Sequence, residues 1–197
     1  MNEKLNSILK QVSKPGRYSG GEYGQIIKDK TKIKARFAFA FPDTYEIGMS
    51  NLGVRILYDC LNREEDIWCE RVYDPWVDMQ EKMAEHNIPL WAHESKDNVK
   101  DFDFLGFTLQ YEMSYTNVLN MLELAEIPLR ASDRDEDFPI VIGGGPCAYN
   151  PEPVADFFDL FNIGEGESLL VEIVPSSLYS TLYSEGTYTP GMVLAAS

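Results

Sequence analysis

The residues with the most chemical potential lie in five short segments, each of which directly follows a predicted β-strand. Polar and aromatic side chains dominate three of the segments, and glycine is prominent in the other two. The segments are 42–51 (PDTYEIGMSN), 73–76 (YDPW), 110–116 (QYEMSYT), 143–150 (GGGPCAYN) and 164–167 (GEGE). In an open parallel sheet every strand delivers its following loop to the same edge, so we expect these segments to meet there. Such an edge is where ligands bind.

The glycine run 143–145 is the least ordinary of these features. Three consecutive glycines let the backbone come close to a bulky ligand, since a Cβ at these positions would intrude. The alternative interpretation is a plain tight turn. The run has the spacing of neither a dinucleotide fingerprint nor a Walker phosphate loop, so neither of those sites is predicted.

The loops after the first and third predicted strands place polar and aromatic side chains beside the point where strand order is expected to reverse. Binding sites concentrate in such loops. Together with the two glycine-rich segments, they supply the residues that we expect to face a ligand. These residues are Asp43, Thr44, Tyr45, Glu46, Met49, Ser50, Asn51, Gln110, Tyr111, Ser114, Tyr115, Asn117, Gly143, Gly144, Gly145, Pro146, Cys147, Gly164, Glu165, Gly166 and Glu167.

The titratable side chains do not form a catalytic or metal-binding pattern. Glu165 and Glu167 could act as a carboxylate pair in acid–base chemistry, but at the head of a predicted helix they complement its dipole, a contribution of roughly 0.3–1 kcal/mol each. Cys147 has no basic neighbour in the sequence, so we interpret it as a packing residue rather than a nucleophile. His86 and His93 are predicted to be exposed, at a helix end and in a loop. We therefore predict no catalytic residue and no metal ligand.

The elements that must position these loops alternate between strands and helices. Apolar runs bounded by polar or turn residues predict strands at 34–41, 67–72, 102–109, 139–142 and 157–163. Amphipathic segments between them predict helices. This alternation predicts the α/β class, with a parallel sheet covered by helices on both faces and with right-handed crossovers.

Three regions follow from the pattern along the chain. Residues 1–33 are predicted as a lead-in, 34–174 as the α/β domain, and 175–197 as an irregular tail or short hairpin, because that last segment lacks the periodicity of the core. The charge run 133–137 (DRDED) is predicted to be a solvated loop.

Charge excludes several classes of partner. Seventeen basic residues are outnumbered by 32 acidic ones, which gives a formal net charge of -15. This charge repels nucleic-acid backbones and anionic membranes unless a basic patch overrides it. The densest basic stretch, 28–36, is interrupted by Asp29 and by apolar residues, and we interpret it as solvated surface. Neither a nucleic acid nor a membrane is predicted as a partner.

The sequence also lacks targeting and cross-linking signals. The first 14 residues contain no apolar core of an export signal, and nowhere do about 18 apolar residues run together. The three cysteines, Cys60, Cys69 and Cys147, have the spacing of neither a disulfide framework nor a zinc site. These features predict a cytoplasmic protein.

Several ordered blocks of the sequence resemble one uncharacterised family of radical SAM proteins that carry a cobalamin-binding domain. The last block resembles the end of such a domain: a GGP turn, a PE pair, and an apolar strand that leads into GEGE. The resemblance covers roughly residues 15–173. The blocks are GRYSGGEYG (16–24), FPDTYEIGMSNLG (41–53), WCERVYDPWVDM (68–79), GFTLQYEMSYTN (106–117) and GGGPCAYNPEPVADFFDLFNIGEGE (143–167).

The resemblance implies a flavodoxin-like fold of the cobalamin-binding type, a three-layer α/β/α arrangement with a five-stranded, mainly parallel sheet. It implies an N-terminal module that holds cobalamin for a radical SAM catalytic domain, with the ligand-facing residues above as candidate contacts. The alternative is a docking or structural domain of the same fold that binds no cofactor. Analogy of fold does not decide between the two.

Two motifs of related proteins are absent from this sequence. The Asp-x-His-x-x-Gly motif that supplies a cobalt ligand in other cobalamin proteins is missing, so a corrinoid would bind without a histidine from this chain. The Cys-x-x-x-Cys-x-x-Cys motif is missing too, and three such thiolates are needed for a 4Fe–4S cluster with one iron open to S-adenosylmethionine. We expect the cluster and S-adenosylmethionine only in a full-length protein, of which this chain is a non-catalytic fragment.

Overall fold

A fully parallel β-sheet forms the centre of the protein in the computed structural model, which describes residues 2–167, 170 and 192–195. The sheet has the order β2-β1-β3-β4-β5-β6. Its strands are β1 (Ala35–Phe41), β2 (Ile67–Tyr73), β3 (Phe104–Thr108), β4 (Ile140–Gly144), β5 (Leu160–Ile163) and β6 (Met192–Ala195). The predicted α/β class, with five parallel strands in a flavodoxin-like order, is confirmed.

The strand order reverses between β1 and β3. The chain moves from β1 outward to β2, and then crosses back to place β3 on the other side of β1. The helices that follow β1 and β3, α4 (Leu52–Arg63) and α6 (Tyr115–Leu124), therefore lie on opposite faces of the sheet, and open α/β sheets bind ligands at this point, at the edge where the carboxyl ends of the strands meet. We call this the carboxyl edge.

Within residues 2–165, six α-helices flank the sheet. Asn51, the cap predicted from the sequence, begins the fourth helix: its Oδ1 accepts a hydrogen bond from the amide of Val54 at 3.1 Å. The helices are α1 (Asn2–Leu9), α2 (Gly16–Ser19), α3 (Tyr45–Ser50), α4 (Leu52–Arg63), α5 (Val77–His86) and α6 (Tyr115–Leu124).

The two faces of the sheet bury different kinds of side chain from β1. Phe37, Phe39 and Phe41 point to the face covered by α4, and Ala38 and Ala40 point to the face covered by α1, α5 and α6. Burial of each phenyl ring stabilises the fold by roughly 1.5–3 kcal/mol. The α4 face therefore carries large aromatic side chains directly beneath the carboxyl edge.

One close approach holds β1 and β3 together under these rings. A Cβ built on Gly106 of β3 would lie 2.5 Å from the ring of Phe37, nearer than any real contact. Glycine is therefore required at this position, and it allows Phe37 to lie across the neighbouring strand.

The outer edge of β2 is covered by other parts of the chain. The amide of His93 donates to the carbonyl of Arg71 at 2.7 Å, and the Glu94 carboxylate accepts from both the amide and Nε of Arg71. The lead-in adds a further contact, since Trp68 Nε1 donates to the carbonyl of Ile26. Such coverage removes the unpaired backbone groups that an exposed edge strand presents.

A sixth strand, β6, lies within the segment predicted as an irregular tail. It pairs in parallel with β5, from Leu160 opposite Met192 to Ile163 opposite Ala195. A strand that extends an existing sheet edge gains backbone hydrogen bonds that side-chain periodicity does not register. These four residues form a strand where irregular structure was expected, and the rest of 175–197 lies outside the described residues.

The charge run 133–137 is not solvated throughout, because Arg134 is buried. Its guanidinium donates to the carbonyls of Pro128, Leu129 and Phe157 and pairs with Asp159 at 3.1 Å. Both side chains of this ion pair are only 1% exposed. The prediction was wrong here because the partners of Arg134 come from distant parts of the chain.

Replacing Arg134 with alanine should lower the free energy of unfolding by about 3–5 kcal/mol, since it leaves the Asp159 carboxylate buried without its cation. Urea denaturation followed by circular dichroism measures the change. The matched control is Arg130→Ala, whose ion pair with Asp156 is exposed and should contribute no more than about 1 kcal/mol. Equal effects of the two substitutions would contradict a structural role for the buried pair.

Candidate functional site

A cavity of about 190 Å³ opens at the carboxyl edge, on the α4 face of the sheet. It lies where the strand order reverses, among the ends of β1, β3, β4 and β5 and the first turns of α4. This is the position at which open α/β sheets bind ligands. We call it the edge cavity.

Glycine creates much of the space in the edge cavity. A Cβ built on Gly144 would meet nothing nearer than the Asn162 Cβ at 3.9 Å, so a side chain at this position would project into open space. Gly145 and Gly164 have φ values of 95° and 113°, which other residues rarely adopt. The lining glycines are Gly53, Gly106, Gly144, Gly145, Gly164 and Gly166.

The remaining walls of the edge cavity are mostly apolar. Phe37 and Phe39 come from β1, Ile142 from β4, and Leu57 from α4. Flat rings and branched aliphatic side chains surround the space, which favours an apolar and planar guest.

Three polar side chains border the edge cavity. Gln110 Nε2 donates to Thr108 Oγ1, so these two satisfy each other. Asn162, on β5, is only 6% exposed, and its Oδ1 has no hydrogen-bond partner among the described residues. This oxygen has less than 1 Å² of accessible surface, so it is enclosed by the protein and does not face the open space of the cavity.

The predicted ligand-facing residues divide into those that line the edge cavity and those that do not. Five of them line it: Gln110, Gly144, Gly145, Gly164 and Gly166. Gly143 does not, because a Cβ on it would point to the opposite face of the sheet and meet the ring of Phe161 at 2.8 Å. The alternation of side chains along β4 explains why neighbouring glycines differ.

Within the loop after β1, several predicted residues contact the lead-in and β2 instead of the cavity. Glu46 forms ion pairs with Lys14 and Arg17. The ring of Tyr45 packs edge-on against Tyr73. The Met49 sulfur accepts a hydrogen bond from Arg71. The local roles of the others are in turns and caps: Thr44 precedes α3, Ser50 donates to the Ile47 carbonyl, and Asn51 caps α4.

The loops after β1 and β3 meet, as their predicted position beside the reversal of strand order requires. The Tyr111 hydroxyl donates to Asp43 Oδ2 at 3.0 Å, and Asn117 Nδ2 donates to the Pro42 carbonyl at 2.9 Å. Ser114 is buried and donates to the Tyr111 carbonyl. These bonds fix the two loops relative to each other at the mouth of the carboxyl edge.

The remaining predicted residues flank the cavity on its β4 and β5 sides. Pro146 and Cys147 begin a short 3₁₀ helix after β4, and the Cys147 thiol lies beside Tyr115. Burial raises the pKa of that thiol, which keeps it protonated and supports the interpretation of Cys147 as a packing residue. Glu165 and Glu167 are exposed.

Sequence reasoning missed the cavity residues that lie inside regular elements. Two of them carried a signal: Gly106 interrupts an apolar strand, which often marks close backbone approach, and Asn162 is a polar residue at the end of another. The others looked like ordinary core residues. The missed lining residues are Phe37, Phe39, Gly53, Leu57, Gly106, Phe107, Thr108, Ile142, Asn162 and Leu170.

Large apolar side chains stand exposed around the same edge. Trp76 is 51% exposed, Met113 84% and Tyr149 70%. All of these side chains belong to segments that follow β1, β2, β3 or β4. A group of exposed apolar side chains indicates a contact surface. This apolar rim consists of Ile47, Leu52, Trp76, Val77, Tyr111, Met113 and Tyr149.

His93 is buried beside β2 and not exposed as predicted. Its ring packs against Tyr45 and Tyr73, and its Nε2 lies 3.4 Å from a Glu22 carboxylate oxygen. Burial lowers the pKa of His93 to about 4, so the imidazole is neutral at pH 7. The prediction failed because the residues that cover His93 come from the lead-in and from α3. His93 does not line the edge cavity.

Asp74 links the loops after β1 and β2. Its amide donates to the carbonyl of Asp43, and its Oδ1 accepts a hydrogen bond from Asn120 Nδ2 at 3.0 Å. Burial raises the pKa of Asp74 to about 7, the Asn120 bond opposes that rise, and the charge of Asp43 adds to it. The carboxyl group is therefore held partly protonated near neutral pH.

Within the described residues, no group of three or more His, Cys, Asp and Glu side chains is placed to hold a metal ion. None of the helices in that part of the chain has the length and apolar character needed to cross a membrane.

Comparison with known proteins relates the chain to one family. The model of the family described as radical SAM proteins, N-terminal, matches residues 53–189. An uncharacterized protein of Methanocaldococcus jannaschii is 27% identical over 146 residues, which make up 73% of this chain and 27% of that protein. The chain thus spans about a quarter of the length of this curated relative. No solved structure matches the chain.

Asp74→Asn should stabilise the protein more at pH 8 than at pH 5. The folded-state pKa of about 7 lies above the usual 3.8. The wild type therefore loses stability as pH rises from about 4 to about 7, and the variant with asparagine does not. We expect the gain in Tm to be roughly 3–6 °C larger at pH 8. Differential scanning calorimetry at both pH values measures it.

The same measurement on Glu81→Gln, an exposed position on α5, provides the control. The lowered pKa of His93 makes the folded protein less stable as pH falls, because protonation of the buried imidazole opposes folding. This effect is the same in the wild type and in the Asp74→Asn variant, so it does not change the comparison. A stabilisation by Asp74→Asn that is equal at pH 5 and pH 8 contradicts the raised pKa.

Proposed function

The chain belongs to the family of radical SAM proteins, N-terminal, and from this membership we propose that it is the cobalamin-binding module of a longer radical SAM protein. The observation that carries the proposal is the glycine-lined edge cavity at the reversal of strand order. The resemblance of the sequence blocks to cobalamin-binding domains supports the choice of cofactor.

The size of the edge cavity constrains how a corrinoid would bind. Pockets that enclose a drug-sized ligand measure roughly 300–1,000 Å³, and the edge cavity measures about 190 Å³. The macrocycle is too large to enter, so it would lie across the carboxyl edge with one side arm in the cavity. Gly144 and Gly145 would let the backbone approach that arm, and aromatic side chains such as Tyr111 would pack on the flat ring.

The residues present fit a corrinoid that has no protein ligand on cobalt from this chain. His93 is buried against Tyr45 and Tyr73, and His86 ends α5, so neither lines the edge cavity. Binding would depend on shape, apolar contact and hydrogen bonds to the loops. A bound cobalamin supplies a cobalt that carries a methyl group or an electron.

The partner in this proposal is a radical SAM catalytic domain elsewhere in the full-length protein. The chain corresponds to 27% of its relative, so most of such a protein lies outside it. The apolar rim would pack against that domain and cover the cofactor from the other side. The 4Fe–4S cluster and S-adenosylmethionine would belong to the catalytic domain, and this chain by itself would not be catalytic.

A second candidate is a docking domain of the same fold that binds no cofactor. The apolar rim favours it, since exposed apolar side chains serve a protein contact with or without a corrinoid. The two candidates differ in whether the edge cavity binds anything.

When hydroxocobalamin is added to the wild-type chain, the visible spectrum of the cobalamin should change. The cobalamin should also stay with the protein on a desalting column. Gly144→Leu should abolish both effects, because the new side chain enters the edge cavity. The backbone of Gly144 does not have a positive φ, so the variant should fold with a Tm close to that of the wild type. The matched control is Gly16→Leu, where a Cβ meets no atom within 4 Å and which does not line the edge cavity.

A wild-type chain that stays folded but retains no hydroxocobalamin at high micromolar ligand rejects the cofactor proposal and favours the docking domain. Retention by Gly144→Leu equal to that of the wild type places the corrinoid elsewhere on the chain.

A further inference from the structure

We infer that Asp43 and Asp74 form a proton-controlled joint at the carboxyl edge, in which ionisation of Asp74 releases the loop after β3 from the loops after β1 and β2. Neither residue lines the edge cavity, so the joint is independent of the ligand that the cavity binds. It governs how the surface around the cavity is held, and thus goes beyond the proposed function.

The backbone places the two acids side by side in neighbouring loops. Asp43 follows β1 and Asp74 follows β2, and these strands are paired up to Phe41 opposite Tyr73. The amide of Asp74 then donates to the carbonyl of Asp43 at 3.0 Å. This bond holds the two residues next to each other, so the negative charge of Asp43 acts on the Asp74 carboxyl group.

Each carboxyl group also holds the segment that follows β3. Asp43 Oδ2 accepts a hydrogen bond from the Tyr111 hydroxyl at 3.0 Å, and Asp74 Oδ1 accepts one from Asn120 Nδ2 at 3.0 Å. Tyr111 lies in the loop after β3, and Asn120 lies on α6, the helix that this loop enters. The two acids therefore connect the loops after β1 and β2 to the segment after β3.

No cation neutralises the two acids. Within the part of the chain that the structure describes, neither Asp43 nor Asp74 forms an ion pair. Arg17 lines the small cavity beside Asp74, but its guanidinium pairs with Glu46 at 2.9 Å and lies over the ring of Trp76. Neighbouring carboxyl groups without a cation favour a state in which one of them keeps its proton. Burial raises the pKa of Asp74 to about 7, so Asp74 is that group.

The other titratable side chains around Asp74 keep one charge state between pH 5.5 and 8.5. They line the small cavity or lie in the first turn of α5, and they are Arg17, Tyr18, Tyr45, Tyr73, His93 and Asp78. Burial lowers the pKa of His93 to about 4, and burial raises the pKa of each tyrosine above its usual 10. The arginine stays cationic, and the aspartate of α5 accepts a hydrogen bond from the Ser13 amide that lowers its pKa. A change of charge here in this pH range therefore comes from Asp74.

Ionisation of Asp74 sets two like charges side by side, and the two bonds to the segment after β3 respond differently. The bond from Asn120 favours the ionised form of Asp74, so it is kept. The bond from Tyr111 to Asp43 is exposed to solvent, where water replaces a hydrogen bond at little cost. The Asp43 carboxylate therefore turns away from Asp74, and Tyr111 is released.

The released loop is part of the apolar rim. Tyr111 is 43% exposed and Met113 84% exposed, and both belong to the loop after β3. The bond from Asn117 Nδ2 to the Pro42 carbonyl carries no charge and keeps the base of the loop in place. A partner that covered the joint would remove water from Asp74 and favour its proton, so docking and the held state of the rim would support each other.

The test follows the joint by NMR between pH 5.5 and 8.5 in the ¹³C,¹⁵N-labelled chain. The side-chain carboxyl carbon of Asp74 should titrate with a midpoint near 7. The amide signals of Tyr111 and Met113 should move with the same midpoint. In Asp74→Asn the side chain stays neutral, so these amide signals should not move with pH.

Two further variants separate release of the loop from a local effect of charge. Tyr111→Phe keeps the ring but removes the hydroxyl that Asp43 holds, so the Met113 amide should take its high-pH position already at pH 5.5 while Asp74 still titrates. The matched control is Tyr149→Phe, an exposed tyrosine of the same rim, which should behave as the wild type. Asp43→Asn removes the neighbouring charge and should move the Asp74 midpoint to lower pH.

An Asp74 midpoint below pH 5 in the wild type overturns the inference. So does a Met113 amide that titrates as in the wild type in either Asp74→Asn or Tyr111→Phe. If Asp74→Asn does not fold, the comparison of the wild type with Tyr111→Phe decides. None of these measurements uses a ligand, so their outcome is distinct from that of the corrinoid proposal.

Discussion

The ring of Phe37 lies across the neighbouring strand at Gly106, where a Cβ would come within 2.5 Å of it. This close contact accompanies the direct parallel pairing of β1 with β3, the two strands between which the chain reverses direction across the sheet. The same ring forms part of the wall of the edge cavity. A side chain at position 106 would push Phe37 toward that space, so one steric constraint determines both the packing of the central strands and the room available to a ligand.

Polar groups near β5 illustrate two different uses of burial. Asp159 pairs with Arg134 and accepts a hydrogen bond from the amide of Val141, so a buried charge there holds distant segments together. Asn162, three residues later, has an oxygen without a partner among the described residues. Leaving a buried acceptor unsatisfied costs roughly 1–3 kcal/mol.

The carboxyl edge combines a rigid base with an exposed apolar rim. Hydrogen bonds from the Tyr111 hydroxyl to the Asp43 carboxylate and from the Asp74 amide to the Asp43 carbonyl tie three strand-following loops together. Ion pairs of Glu46 with the lead-in hold α3 in place. A chain that corresponds to about a quarter of its relative would gain stability by covering such a surface with the rest of a longer protein.

The sequence by itself determined the class of the fold and the edge at which a ligand would bind. Apolar runs separated by amphipathic segments indicate parallel strands, and parallel strands must bring their following loops to one edge, so the sequence predicted that the loops after β1 and β3 meet. That Tyr111 bonds to Asp43 there is a finding of the structure. The tertiary structure alone decided which side chains surround the cavity. Phe37 and Ile142 look like ordinary strand residues, because the sequence does not show which face of each strand is left uncovered. For a related reason, the sequence did not predict that Arg134 and His93 are buried. Asp159 and Tyr73, which contact them, are about 20 or more residues away along the chain, and local periodicity reports only on near neighbours.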